Sequence, residues 1–376
     1  MSIETTRLHT FIGQQIAIAR KSLGMTQEDL SKKLGLKDRQ ILSNIEKGHR
    51  KIQDNELLTI MKELKRPLDY FTDIYQLPDD QLFAWRAKTP DTEKISLDQI
   101  VQESELVARG VVAANKRFSE ITKHRLTPII PRLAISAKSS FKNVSETAEF
   151  LSSYWKMGDI PAKELWGIVR DKLKIDVFYL DIADEVSGSS LSTEEFCAIF
   201  INRTHPEGRR NFSLAHELFH ILTWNTFHPA YFSPEEWEMV QKRSERFADN
   251  FASALLMPSN IILPLWKKFD SNNNNLKRWI EDTAEGLLVS PDALFWRLVN
   301  LNILNKKNKP IDLHAPHRDE SAITPRPYSE QFVKMMWTVL KDGTVSARKC
   351  ANTLNCTYRN LYDVFDDYNL PAPFNL

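Results

Sequence analysis

One segment constrains this chain more than any other: Arg210-Asn211-Phe212-Ser213-Leu214-Ala215-His216-Glu217-Leu218-Phe219-His220-Ile221-Leu222. It is apolar and strongly helical in pattern. On a helix, residues four apart share a face, so His216 and His220 project together and can bind one metal ion through their imidazoles. Glu217, beside His216, is positioned to act as a general base toward water. Three residues at this spacing can arise by chance, so the stretch downstream matters as much. Glu245-Arg246-Phe247-Ala248-Asp249 falls on a second helical run. Glu245 can supply a third ligand, giving a His₂Glu zinc site with one position left open. Asp249, one turn on, can accept the free N–H of a ligand histidine and fix its tautomer. The plainer alternative for both acids is a solvated helix face shared with Arg243 and Arg246. In the loop that follows the metal helix, His228 and Tyr231 are candidates to stabilise an oxyanion; otherwise they are a loop histidine and a packed tyrosine. His205 and His124 read as surface residues, and Cys197 as a small core residue on an apolar strand.

The first seventy residues carry a second chemistry. Apolar positions at helical spacing (Ile12, Ile16, Ala19; Leu30, Leu34; Leu42, Ile45; Leu57, Leu58, Met61, Leu64) are separated by Gly24, Gly35 and Gly48, which predicts four or five short helices. Thr26 and Asp38 are the expected N-caps of two of them, with Gly35 turning the chain between. Gln27 then lies at an exposed helix start, where backbone N–H groups can meet phosphate. Leu42 and Ile45 face inward. Arg39, Gln40, Ser43, Asn44 and Lys47 are left to face a major groove, with the right donors and acceptors for base edges and phosphates. Lys37–Lys51 holds five cations against two acids. In a 376-residue chain whose net charge is only +1, such a footprint is local, which excludes a uniformly basic nucleic-acid coat.

These residues carry two resemblances. Gly13, Arg20-Lys21, Gly24, Thr26-Gln27, Leu34-Gly35, Ser43, Ile45-Glu46 and Gly48 resemble the repressor-like (XRE/Cro-type) helix-turn-helix family over about residues 12–71, with a turn one residue longer than usual at Lys37-Asp38. The resemblance implies binding to double-stranded operator DNA; pairing with another protein is the alternative. The stretch from Arg210 to His220, followed by Glu245 and by Phe251-Ala252 and Leu255-Leu256-Met257-Pro258, resembles the ImmA/IrrE family of zinc metallopeptidases over roughly residues 144–300. Glycine is common in that family where Phe219 stands, and asparagine where Asp249 stands; neither change removes a ligand. The resemblance implies a thermolysin-like (gluzincin) α+β core binding Zn²⁺, with an edge strand at about Ala198–Asn202 that pairs with an extended substrate. It also implies an endopeptidase that cuts one repressor-type protein on a stress signal.

The chain is thus expected to be α+β and mostly helical. Residues 1–76 form a helix-turn-helix domain, 77–143 a helical connector and 144–305 the peptidase domain. Residues 306–328 form a polar linker and 329–376 a small helical domain. Two β-rich runs, Ile175–Leu180 and Phe196–Ile201, precede the metal helix, and an exposed loop is expected at Asp270–Asn275. The last block has a helix-turn-helix rhythm of its own from Asp342 to Thr357. It suits structural packing or partner binding, or a second DNA reader through Arg348, Lys349 and Arg359. Three cysteines (Cys197, Cys350, Cys356) make no disulfide framework, and the last two lack further ligands for a zinc site. The N-terminus has no signal-like apolar run and no stretch is long enough to span a membrane, so a cytoplasmic protein is expected. The leading functional expectation is a DNA-binding regulator with zinc-dependent endopeptidase activity toward a repressor or antitoxin-type protein, with a homodimer as a further state. The alternatives are a non-cleaving transcription factor whose peptidase-like domain senses a ligand or partner, and a toxin–antitoxin component.

Overall fold

The computed structural model describes residues 3–75, 84–87, 94–124, 127–193, 196–269, 275–310, 313 and 324–375. Five helices open the chain: α1 (Ile3–Ser22), α2 (Gln27–Lys33), α3 (Arg39–Glu46), α4 (Asp54–Leu64) and α5 (Leu68–Thr72). They close on a core that includes Ile16, Leu30, Leu42, Ile45, Ile60 and Phe71. The caps form where the sequence predicts. Thr26 and Asp29 make a reciprocal capping box at the start of α2, Asp38 accepts the Gln40 amide at 2.8 Å, and Gly35 turns the chain with φ +65°. A buried ion pair ties the three helices together. Arg20 Nε donates to Glu46 Oε1 at 2.6 Å, Arg20 Nη1 to the Met25 carbonyl at 2.7 Å, and Gln27 Nε2 to Glu46 Oε2 at 2.7 Å.

The next elements are strand β1 (Ala84–Ala87) and the 29-residue helix α6 (Lys94–Thr122). Helices α7 (Phe141–Tyr154) and α8 (Pro161–Gly167) follow, the latter running on into a π-helical turn over Ile168–Lys172. Strands β2 (Asp176–Leu180), β3 (Val186–Ser192) and β4 (Cys197–Asn202) complete the sheet. Then come α9 (Glu207–Thr223), α10 (Pro234–Leu256), α11 (Ser259–Lys267), α12 (Leu276–Gly286) and α13 (Pro291–Asn300). The chain ends with α14 (Glu330–Lys341), α15 (Ala347–Thr353) and α16 (Tyr358–Asp367). The molecule is mostly helical with one small sheet, and no described helix is long and apolar enough to cross a membrane.

The sheet has the order β1-β3-β4-β2. β3 is antiparallel to both neighbours, and β2 runs parallel to β4 with Asp176 opposite Ala198. Strand side chains alternate between faces, and here both faces are covered. Val177, Cys197, Ile199 and Ile201 enter one core with α7, α9 and α10. Phe178, Leu180, Ala198 and Phe200 enter another with α6 and α14–α16. The connector helix and the C-terminal helices therefore form the second wall of the sheet. The N-terminal helices are joined to that wall through Asp73, which accepts hydrogen bonds from Arg117 of α6 and lies 3.1 Å from Lys349 of α15. Burial alone would raise the Asp73 carboxyl, but these two cations hold it below the ordinary carboxylate range.

Two expectations change here. The strand at Ala198–Asn202 is interior, with β3 on one side and β2 on the other, so it offers no edge to a substrate. The intervening strand β3 was not expected, because Val-Ser-Gly-Ser-Ser-Leu-Ser shows no apolar alternation; it is buried all the same. Within the expected loop and linker, residues 270–274, 311–312 and 314–323 lie outside the described residues, as do 77–83 and 88–93 of the connector.

Candidate metal centre

The metal helix α9 starts after Pro206 and is buried on every side from Ser213 to Thr223. Its neighbour α10 is cued by Ser233 and Glu236 in a capping box with Pro234 at the first position, the combination that best starts a helix. The rotation of α10 is set by its other contacts. Phe247, Phe251 and Leu255 are fully buried, Arg243 donates to the Ser139 carbonyl at 2.9 Å, and Arg243 and Arg246 lie over the Phe141 ring. That anchoring turns Glu245 and Asp249, one helical turn apart, toward α9.

The sequence-predicted ligands come together. His216 Nε2 lies 3.2 Å from His220 Nε2 and 3.2 Å from Glu245 Oε2, and His220 Nε2 lies 3.3 Å from Glu245 Oε1. These three side chains are the one group of His, Cys, Asp or Glu among the described residues whose ligand atoms cluster closely enough to hold a metal ion. On the far side of the ring, His216 Nδ1 is 3.0 Å from Asp249 Oδ1. A carboxylate can only accept, so in the tautomer that ligates a metal through Nε2 the His216 proton sits on Nδ1, toward Asp249. Tetrahedral zinc, with bonds of about 2.0–2.1 Å, spaces its ligand atoms by about 3.3 Å, so the donor set fits. Burial would raise the Glu245 carboxyl, but hydrogen bonds and charge from His216 and His220 outweigh it and hold it well below the usual range. His216 is 1% exposed while the Glu245 side chain is 40% exposed, so the centre opens to solvent on the α10 side.

Glu217 is fully buried and accepts a hydrogen bond from Ser190 Oγ at 2.9 Å. Strand β3 can come this close because residue 188 is glycine. A Cβ there would stand 2.7 Å from the Phe200 carbonyl oxygen and 3.5 Å from Glu217 Cγ. Ser190 and Gly188 are the site residues that sequence reasoning missed. The available signal was a run of small residues just upstream of an apolar strand, which marks close backbone approach more than a loop.

The other predicted positions are placed as follows. His228 Nδ1 accepts the Ala230 amide at 3.1 Å and caps a short 3₁₀ turn, its ring 5.6 Å from that of the exposed Tyr231. His205, expected at the surface, is 3% exposed; its Nε2 bonds the Asp184 carbonyl, and burial with the nearby Arg209 charge pushes its pKa down to about 4. Cys197 and Cys350 are buried, and burial pushes the Cys350 and Cys356 thiols up to about 12 and about 11, far from ligand or nucleophile behaviour. In the N-terminal helices Arg39, Gln40 and Lys47 are exposed and Asn44 is half-buried. Ser43 is only 8% exposed, contrary to the expected outward position. Gln27 spends its amide on Glu46.

Comparison with known proteins adds the families. Residues 170–281, which span both halves of the centre, match the IrrE N-terminal-like domain of peptidase family M78. This region is an IrrE-like domain. Residues 16–71 match the helix-turn-helix family, so a DNA-binding domain of the XRE type precedes the IrrE-like one. No curated protein matches the chain in sequence. Among solved structures, Bacillus thuringiensis PlcR in complex with the peptide PapR7 and DNA aligns over 96% of this chain and 96% of its own. At 13% identity and a TM-score of 0.17, that likeness carries no structural argument. Together the family matches describe a DNA-binding regulator with a metallopeptidase-type domain.

Proposed function

We propose that this chain is a cytoplasmic transcriptional regulator whose IrrE-like domain, with a thermolysin-like core, is a zinc-dependent endopeptidase. The reading rests on one observation above all: His216, His220 and Glu245 converge beside a buried Glu217. In this proposal His216, His220 and Glu245 hold Zn²⁺, and Asp249 keeps His216 in the ligating tautomer. When bound, zinc supplies Lewis acidity toward the water and the scissile carbonyl. Glu217 takes the proton of the attacking water and returns it to the leaving amine nitrogen. Ser190 holds the Glu217 carboxylate in place for both transfers. His228 and Tyr231, in the loop after the metal helix, remain the candidate oxyanion donors. The N-terminal domain, taken as residues 1–76, reads operator DNA through Arg39, Gln40, Asn44 and Lys47, with Gln27 and Ser43 acting from behind by positioning the reading helix. Residues 77–143 connect it to the peptidase domain (144–305), and 306–328 link that to the C-terminal helices (329–376). The substrate is a repressor or antitoxin-type protein, whose cleavage switches on stress, prophage or defence genes; a homodimer would suit a two-fold operator.

The experiment begins with metal content by mass spectrometry, wild type beside His216→Ala and Glu245→Ala, with about one zinc per chain expected and lost in both variants. Cells carrying wild type or Glu217→Gln are then compared for new protein N-termini. A repressor fragment present only with wild type supports the proposal. A zinc-free wild type, or regulation and N-termini unchanged by Glu217→Gln, would leave a non-cleaving sensor as the better account.

A further inference from the structure

Strand β3 is the part of the sheet that meets the metal helix. Ser190 bonds Glu217, and the bare backbone of Gly188 leaves room where a side chain would meet Glu217. One edge of β3 is paired with β4. The other would present a row of backbone N–H and C=O groups beside the site, the kind of edge that captures an extended peptide. That edge is already taken. Strand β1 runs antiparallel along it, with Ala84 opposite Ser190, Trp85 opposite Ser189, Arg86 opposite Gly188 and, after a register shift, Ala87 opposite Val186. Ser190, which bonds Glu217, and Gly188, which makes room beside it, are thus both paired to β1. β1 does not come from the elements that build the centre. It belongs to the connector between the DNA-binding helices, which end at α5, and α6, which begins at Lys94.

We infer that β1 is an internal competitor: residues 84–87 lie where an extended substrate backbone would add to β3, and the peptidase admits a substrate only when this strand leaves. The inference rests on the peptidase reading above and names the regulation of that site. Its physical basis is tethering. A covalently linked strand acts at an effective concentration of about millimolar, so a segment offered in trans at micromolar concentration loses to it. Four residues also make a short strand, which cooperative changes elsewhere can displace. Because the same connector leads to the DNA-reading helices, a shift of those helices against α6 would act directly on β1.

The test uses the full chain with Glu217→Gln, so that nothing is cut. Its companion also has residues 84–87 replaced by Gly-Ser-Gly-Ser. The probe is a fluorescein-labelled synthetic peptide of residues 82–89, followed by anisotropy, with hydrogen exchange at residues 186–190 measured in parallel. The peptide should bind the replaced chain at least tenfold more tightly than the intact one. Exchange at 186–190 should quicken on replacement and slow again when the peptide is added. Affinities within tenfold of each other, or exchange at 186–190 that ignores both replacement and peptide, overturn the inference. If the replaced chain does not fold, Trp85→Pro with Arg86→Pro serves instead. Successive strand residues point their N–H groups to opposite sides, so this pair removes a donor whichever position faces β3, and the same outcomes decide. Because binding is read without catalysis, failure here is separate from failure of the peptidase reading, which shows as missing zinc or missing new N-termini.

Discussion

Ser190 and Glu217 meet across 2.9 Å, the hydroxyl donating to a carboxylate that has no access to solvent. A hydrogen bond to a charged group nets about 1.5–3 kcal/mol. Ser190→Ala should therefore lower peptide cleavage about ten- to hundredfold while leaving zinc content at the wild-type level. Zinc lost together with activity would mean that Ser190 supports the fold of the centre and not the orientation of Glu217.

Asp249 Oδ1 lies 3.0 Å from His216 Nδ1, the contact proposed to fix the ligating tautomer. Removing such a partner typically costs about 10–100-fold in metal affinity, so Asp249→Asn should weaken zinc binding by that factor, with the ligands themselves intact. Competition against a fluorescent chelator measures it. Undiminished affinity would return Asp249 to an ordinary half-exposed helix acid.

Arg39 and Gln40 are exposed at the start of α3, the helix proposed to read the operator. Contacts to base edges carry about 1–3 kcal/mol each. Arg39→Ala with Gln40→Ala should abolish selection of a specific operator over bulk DNA, measured at fixed salt, without changing the helical circular dichroism signal. Preserved selectivity would move the reading surface elsewhere on the N-terminal helices.

Arg20 and Glu46 are 8% and 7% exposed at the side chain. Breaking such a pair strands a buried charge and costs about 3–5 kcal/mol. Glu46→Ala should speed amide exchange throughout α3 in the full chain, and the apolar pair Arg20→Met with Glu46→Leu should recover most of that loss.

Burial pushes the Asp176 carboxyl up to about 6 from an ordinary 3.8, with the Asn115 hydrogen bond working the other way. The folded state holds this proton more tightly than the unfolded chain. Its contribution to stability is fully present below about pH 4 and is lost as pH rises through about 6. Asp176→Asn, which keeps an acceptor for Asn115, should melt higher than wild type at neutral pH by at most about 3 kcal/mol. That advantage should shrink toward pH 4, as thermal melts between pH 4 and pH 8 would record.

Much of the candidate site was legible in the sequence because its cues are local. His216 and His220 share a face by helical spacing, Glu245 and Asp249 do the same, and Thr26 and Asp38 announce helix starts by side-chain chemistry alone. What stayed hidden depends on pairing across long separations. Strand β3 has neither apolar alternation nor β-branched residues apart from Val186, and its burial follows from neighbours that no local pattern encodes. Ser43 looked outward from its polarity, yet it is buried where α3 packs into the bundle. His205 lies after a strand in a polar stretch, and only the return of the chain past Asp184 encloses it. The order of the strands, which took Ala198–Asn202 from the edge to the interior, is a tertiary outcome of the same kind.

Strand β4 is buried along its whole length, with Ile199 and Ile201 in one core and Phe200 stacked on Phe178 in the other. Neither face is left to water, so almost any substitution there disturbs packing on one side or the other. Diversification of such a protein is therefore confined to its margins. Descendants that meet new targets can vary the outer strand, the rim of α10 and the reading helix, while the centre of the sheet has to be inherited unchanged.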